Sequence, residues 1–244
     1  MKIAVPSDIH GNIAALEAVL AHAAGFAPDR IVNLGDICSG ALWPAETADR
    51  LMALDLPTIR GNHERQVLDG DVARMGPSDR HSRMSPGQDH LAWLAGPPPT
   101  LRLSDDVLLV HGTLASDLDY FLETVTPTGV RAAMPQEVTQ RAGDARAELI
   151  LCGHTHVPRA AQLADGRLIV NPGSVGLPAY DDIHPFPHAI ENGSPHARYA
   201  TVTRERGGWQ VSFHLVRYDW ERTARYAEEN GRADWARALR SGHA

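Results

Sequence analysis

Short apolar runs and helical stripes alternate along the first part of the chain. Lys2 to Ser7 is apolar between its two ends, the pattern of a strand buried on both faces. Asn12 to Ala24 then places Ile13, Leu16 and Leu20 on one face, which predicts a helix. A second short strand is predicted over Ile31 to Leu34, a helix over Ala45 to Leu54 after Pro44, and a third strand ending at Thr58 and Ile59. This order predicts parallel strands joined by helical crossovers. Polar groups follow each strand: Asp8 and His10, then Gly35 and Asp36, then Gly61, Asn62 and His63. Open parallel sheets bind ligands beyond the carboxyl ends of their strands, so these groups are expected to converge.

The second half has a different texture. Val107 to Val110 and Leu149 to Leu151 are short apolar runs that end at His111 and at Gly153-His154-Thr155-His156. Leu168 to Val170, Ala200 to Thr203 and Trp209 to Val216 predict further strands, with turn signals at Asp165-Gly166 and Gly207-Gly208. These strands are expected to build a second, mixed sheet packed on the first. The Ala/Arg/Glu-rich tail from Trp220 to Leu239, which includes Trp235, predicts one or two surface helices. Residues 69–99, 114–144 and 180–196 show no clear period and read as long insert-like loops over the strand ends, of the kind that act as lids.

Composition narrows the class. At 244 residues the chain fits one large domain, and residues 1–244 are expected to form it. Apolar residues at 43% and charged residues at 22% are ordinary for a globular protein. No run of about 18 apolar residues occurs, so no membrane partner is expected. Met1 leads straight into the first predicted strand with no room for a signal peptide, so a cytoplasmic location is expected. A net charge of −7 without a Lys/Arg cluster argues against a binder of long nucleic acid. A compact anionic substrate stays compatible if metal ions supply the positive charge. Cys38 and Cys152 each adjoin an apolar stretch and read as buried thiols, or as thiols beside a metal site, rather than as a disulfide.

The candidate chemistry lies in the strand-end groups. Singly, each has a plain structural reading: Asp8 as a helix cap, His10 and Asn62 as turn residues, His111 as a capping or core histidine. The pair His154 and His156, two imidazoles across one residue at a strand end, is harder to explain that way. Together, carboxylates and imidazoles at successive strand ends form a ligand set suited to Mn, Fe, Zn or Ni rather than Ca or Mg. Two such ions about 3.5–4 Å apart can activate water and steady the oxygens of a displacement at phosphorus.

The series Asp8-x-His10, Gly35-Asp36, Gly61-Asn62-His63-Glu64, His111-Gly112 and Gly153-His154-Thr155-His156 resembles the five signature blocks of the calcineurin-like metallophosphoesterase superfamily. Asn171-Pro172-Gly173-Ser174 is similar to a further loop of its small bacterial and archaeal members. The resemblance implies an α/β fold, a four-layer αββα sandwich of two mixed β-sheets flanked by helices, with a dinuclear metal site at the strand ends. It implies that Asp8, His10 and His156 hold one of two divalent ions, that Asn62, His111 and His154 hold the other, and that Asp36 bridges them. Manganese is expected first, with Fe, Zn or Ni as alternatives. In that family a metal-bridging hydroxide attacks phosphorus in line, and a histidine matching His63 protonates the leaving oxygen.

The neighbouring residues have weaker assignments. Glu64 either orients His63 or caps the following helix, and the cap is preferred. Arg60 is a candidate phosphoryl contact through its guanidinium, with an ion pair as the alternative. Asn12 is a candidate phosphate donor at a helix start, with a simple N-cap as the alternative. Tyr120, Phe121, Tyr180 and His184 are candidate substrate contacts.

After Asp36 the chain runs Ile37-Cys38-Ser39-Gly40, without the Asp-Arg-Gly run of Ser/Thr protein phosphatases. The resemblance therefore implies a phosphodiesterase acting on a small nucleotide-derived diester. A phosphomonoesterase or dinucleoside polyphosphate hydrolase using the same site is the alternative. A binding protein that kept the fold without the chemistry is a further one.

Overall fold

The computed structural model describes residues 1–244. Its first strand shows why the chain folds inward at once: in β1 (Lys2–Val5) Ile3, Ala4 and Val5 are fully buried. The elements α1 (Ile13–Ala24), β2 (Arg30–Ile31), α2 (Pro44–Leu54) and α3 (Asn62–Asp69) follow. Then come α4 (Pro77–Met84), α5 (Gln88–Leu94), β3 (Thr100–Ser104), β4 (Val107–Val110), β5 (Glu123–Thr126), β6 (Gly129–Ala132), α6 (Pro135–Ala142) and β7 (Leu149–Leu151). The last part holds β8 (Arg159–Gln162), β9 (Leu168–Asn171), β10 (Ala179–Asp182), β11 (His188–Glu191), β12 (Ala197–Glu205), β13 (Gly208–Val216), α7 (Trp220–Glu229) and α8 (Ala233–Ser241).

Two mixed sheets lie face to face, one in the order β13-β12-β1-β2 and the other β3-β4-β7-β9-β8. Ile3, Val5, Val32 and Leu34 from the first side meet Val107, Leu109, Leu149, Leu151 and Val170 from the second. Fully burying one such side chain stabilises by about 1.5–3 kcal/mol, and this seam locks the register of both sheets. Outside the first sheet, Leu16, Val19 and Leu20 of α1 pack with Leu51 of α2 and Leu94 of α5. Outside the second, Val138 and Ala142 of α6 pack with Phe121, Leu122 and Ile150. The result is the four-layer αββα arrangement.

Four expectations are corrected. The β12–β13 hairpin does not join the second sheet; β12 pairs antiparallel with β1, from Lys2 opposite Thr203 to Val5 opposite Ala200. The run Ala197 to Val202 is buried at every position, as a central strand is, and Ala200 and Val202 share the Ile3–Val5 face of the seam. Ile31 to Leu34 is mostly not strand: β2 ends at Ile31, and only a bridge from Asn33 to Thr58 continues the parallel pairing. The three insert-like stretches are structured. They contain α4 and α5, the β5–β6 hairpin with α6, and the β10–β11 hairpin. Their elements are too short and too polar for a period to emerge; the α4 sequence PSDRHSRM carries one apolar residue besides its Pro. The C-terminal helices are also less superficial than expected, because Trp235 and Leu239 are buried against Leu42, Leu177 and Ala179.

Parallel pairing of β1 with β2, of β4 with β7 and of β7 with β9 sends the carboxyl ends of these strands to one rim. No helix is long and apolar enough to cross a membrane.

Candidate metal centre

The rim loops are laced to one another by backbone. The Asp8 N–H donates to the Gly35 carbonyl at 3.0 Å and the His10 N–H to that of Asp36 at 2.9 Å. The Gly153 N–H donates to the His111 carbonyl at 2.8 Å. Within this lattice five side-chain-bearing residues adopt left-handed backbone: Asp8 at φ 53°, His10 at 52°, Asp36 at 52°, His154 at 70° and His156 at 59°. Such conformations cost about 1–3 kcal/mol each and persist only where the surroundings fix them. All five belong to the residues singled out as candidate ligands, and the strained turns aim their side chains at a common point.

The side chains form two groups able to hold a metal ion, Asp8 with His10 and His156, and Asp36 with His111 and His154. Asn62 joins the second group, its Oδ1 3.1 Å from His111 Nε2. Backbone carbonyls fix which ring nitrogen faces inward. His10 Nδ1 donates to Ser39 O at 2.6 Å, His111 Nδ1 to Leu34 O at 2.7 Å, and His156 Nδ1 to Leu177 O at 2.8 Å. Each therefore presents Nε2 to the centre. His154 is reversed, with Nε2 bonded to Leu118 O at 3.1 Å, so Nδ1 is its inward atom. Orientation of this kind is what metal-binding imidazoles require.

The donor set fits cations. His10 Nε2 and His156 Nε2 lie 3.1 Å apart, with Asp8 Oδ1 3.5 Å from the latter. With both Nδ1 atoms committed as donors, the two Nε2 atoms face each other, an arrangement that a cation between them would satisfy. Burial and then neighbouring His156 hold the pKa of His10 down to about 4. Burial and then His111 hold that of His154 to about 4. Both are thus the neutral form that a metal binds. His111 differs: burial opposes its charge, but Asp36 outweighs that and raises it to about 10, so an ion entering there has to replace a proton.

Glu64 has a larger role than a helix cap. Its buried carboxylate accepts from Gly61 N at 2.7 Å, Asp36 N at 2.9 Å and Ile37 N at 2.7 Å. One side chain thereby ties two rim loops together. A methyl at Gly61 would overlap Asp36 Oδ1 and come within 2.8 Å of His111 Cε1, so glycine is needed there for close approach.

His63 stands outside both groups, its ring centroid 5.6 Å from that of His10. Its Nδ1 is bonded to Asp79 Oδ1 at 2.8 Å, and the same oxygen accepts from Ser39 Oγ at 2.7 Å. That leaves Nε2 free. Burial opposes protonation of His63, but Asp36 and then Asp79 outweigh it and raise its pKa to about 9. Asp79 sits on α4 inside the stretch read as loop, and no sequence signal singled it out.

His10, Asp36, Asn62, His63, His154 and His156 line one cavity of about 1390 Å³. Tyr120, Tyr180 and His184 also line it. Tyr180 lies edge-on to His156 at 4.8 Å and Tyr120 to His154 at 5.1 Å, so both brace the imidazoles. Other candidates are not brought there. Phe121 is core, and Cys38 and Cys152 are buried free thiols. Asn12 is fully buried and committed, accepting from Ala15 N as the cap of α1 and donating to Gly176 O at 2.9 Å. Arg60 is half-buried and does not line the cavity.

A family model for the calcineurin-like phosphoesterase superfamily domain matches residues 1–187. Among solved structures, the chain is similar to a metallophosphoesterase from Sphaerobacter thermophilus at 26% identity and a TM-score of 0.72, covering 97% of this chain and 100% of that one. It is also similar to a candidate diadenosine tetraphosphatase at 17% identity and a TM-score of 0.54, covering 89% and 94% of the two chains. At that identity the second likeness is one of fold alone. No curated protein matches.

Proposed function

Because the chain belongs to the calcineurin-like phosphoesterase superfamily, we propose that it is a metal-dependent phosphodiesterase acting on a small, nucleotide-derived diester. The observation that carries this reading is a donor set for two ions beside a histidine that Asp79 fixes through Nδ1 and that stays out of that set. Asp8, His10 and His156 would hold one divalent ion and Asn62, His111 and His154 the other, with Asp36 shared. The ions, Mn first among Mn, Fe, Zn and Ni, would supply an activated water and neutralise phosphoryl charge.

The protein's own groups do the rest. His63 Nε2 gives its proton to the departing oxygen as the P–O bond breaks, while Asp79 fixes the ring through Nδ1. The cavity has room for a nucleotide, and Tyr120 and Tyr180 give it flat walls. The closing helices pack their Trp235 and Leu239 on Leu42 of the N-terminal half, which supports reading residues 1–244 as one domain.

The reading is tested with Mn-loaded protein on bis(p-nitrophenyl) phosphate, p-nitrophenyl phosphate and nucleoside monophosphates. The diester is expected to turn over fastest. Turnover of monoesters alone would make it a phosphomonoesterase, and no turnover of any ester would mark a binding protein.

Asp79→Asn is expected to keep the metal content while lowering kcat by up to about 10²-fold on a substrate with a poor leaving group. The acid form of His63 is the competent one, so activity falls as pH rises through its pKa. Losing the Asp79 charge lowers that pKa, so the basic limb of the kcat profile should move to lower pH. A limb that stays in place rejects the proton-donor pairing.

A further inference from the structure

The cavity is lined by charges of both signs. Asp119, Asp144, Asp181 and Asp182 line it from the 114–144 and 180–196 stretches, and so does Arg141 of α6. The start and exposed face of α8 line it with Arg232 and Arg237. Arg232 is fixed: it pairs with Asp234 at 2.7 Å, donates to Ser78 Oγ at 2.7 Å and lies 5.4 Å over the Trp235 ring. It still has guanidinium N–H groups to offer. Arg237 is exposed and pairs with no carboxylate, so its charge is the uncompensated one on this wall.

The α8 wall adjoins the proton donor. Ser78, which holds Arg232, is followed in the chain by Asp79, which holds His63. Trp235 lies edge-on to His10 at 6.0 Å. The half of a diester that departs with the His63 proton therefore faces Arg232 and Arg237. Residues 233–241 lie beyond the stretch matched by the family model.

We propose that Arg237, with Arg232 beside it, forms a leaving-group subsite for a phosphate, so that the preferred substrate is a diester whose departing half carries a second phosphate. The assignment rests on the diesterase reading above. In such a hydrolysis water oxygen adds to phosphorus, the P–O bond to the phosphorylated half breaks, and His63 protonates the freed oxygen and regains a proton from the water.

A matched pair tests it: the 3′,5′-linked diadenosine monophosphate with and without a 5′-terminal phosphate. Wild-type protein should prefer the phosphorylated dinucleotide in kcat/KM by on the order of ten- to a hundredfold, through a lower KM. Arg237→Glu should collapse that preference, and AMP binding by titration calorimetry should weaken by about tenfold or more without any turnover being involved. An absent preference, a preference kept by Arg237→Glu, or unchanged AMP binding would each overturn the subsite. Bis(p-nitrophenyl) phosphate reports on the parent reading separately. If it is hydrolysed while the preference is absent, only the subsite falls; if it is not hydrolysed, both fall.

Discussion

Asp36→Asn is expected to lower kcat/KM on an aryl phosphate diester by on the order of 10³-fold, the scale of losing a main electrostatic element of a site. Asp36 is 1% exposed and its carboxylate lies 3.2 Å from His111 Nε2. The amide keeps the shape and can still accept from the His63 N–H, a contact of 3.1 Å, so the loop should hold. What is lost is a negative charge that both ions would share.

The same substitution separates a catalytic from a structural centre. Asp8, Asp36 and Glu64 are buried close together, and Asp36 pushes the Glu64 pKa up, after burial itself. Asp36 also holds the proton on buried His111, so losing its charge breaks that pair and should lower the stability of the metal-free protein. The stabilisation from added metal should shrink, since it scales with binding to the folded state alone. Metal analysis, turnover and melting with and without Mn check this. Turnover left intact in folded, Mn-loaded Asp36→Asn protein would mark the ions as purely structural.

The second large effect is expected at His63. His63→Ala should retain both ions, because its ring belongs to neither ligand group. Turnover should fall by about 10²–10⁴-fold for alkoxide-like leaving groups and much less for p-nitrophenolate, which departs without a proton. The side chain is 29% exposed, so truncation leaves a water-filled notch rather than a core cavity, and stability should change little. Rates plotted against leaving-group pKa for both proteins decide the matter. Equal slowing across the series would falsify the proton-donor role and leave His63 as a positioning group.

How much of the site can be read in sequence depends on how local its physics is. Asp8 and His10, Asn62 and His63, His154 and His156 are close neighbours in the chain, and each pair sits where a buried strand runs out. An apolar run predicts the strand, and the polar residues after it have only the rim to occupy. Gly61 beside Asn62 carries a further trace of the packing, since a Cβ there would collide with Asp36 and His111.

Asp79 had no such trace. Its helix carries one apolar residue besides its Pro, and its link to His63 spans 16 residues. Glu64 was legible as a cap of its own helix, through Gly61, but not as the acceptor for Asp36 and Ile37 some 27 or 28 residues away. The β12–β13 hairpin was visible as two strands and a turn, whereas its sheet was not. Alternation says which face of a strand is apolar, and two stacked sheets offer the same apolar seam to either choice.

The sequence by itself determined the strand-end positions of the candidate ligands, the layered α/β class and the family resemblance. Those follow from local periodicity and from residue types at short spacing. Tertiary structure alone decided which imidazole nitrogen faces inward, because that depends on carbonyls such as Ser39 and Leu177 supplied by other loops. It also brought Asp79 to His63, committed Asn12 to the frame, and laid the arginines of α8 along the cavity. These contacts join segments whose separation in the chain leaves no periodic signal, and packing, rather than local preference, sets them.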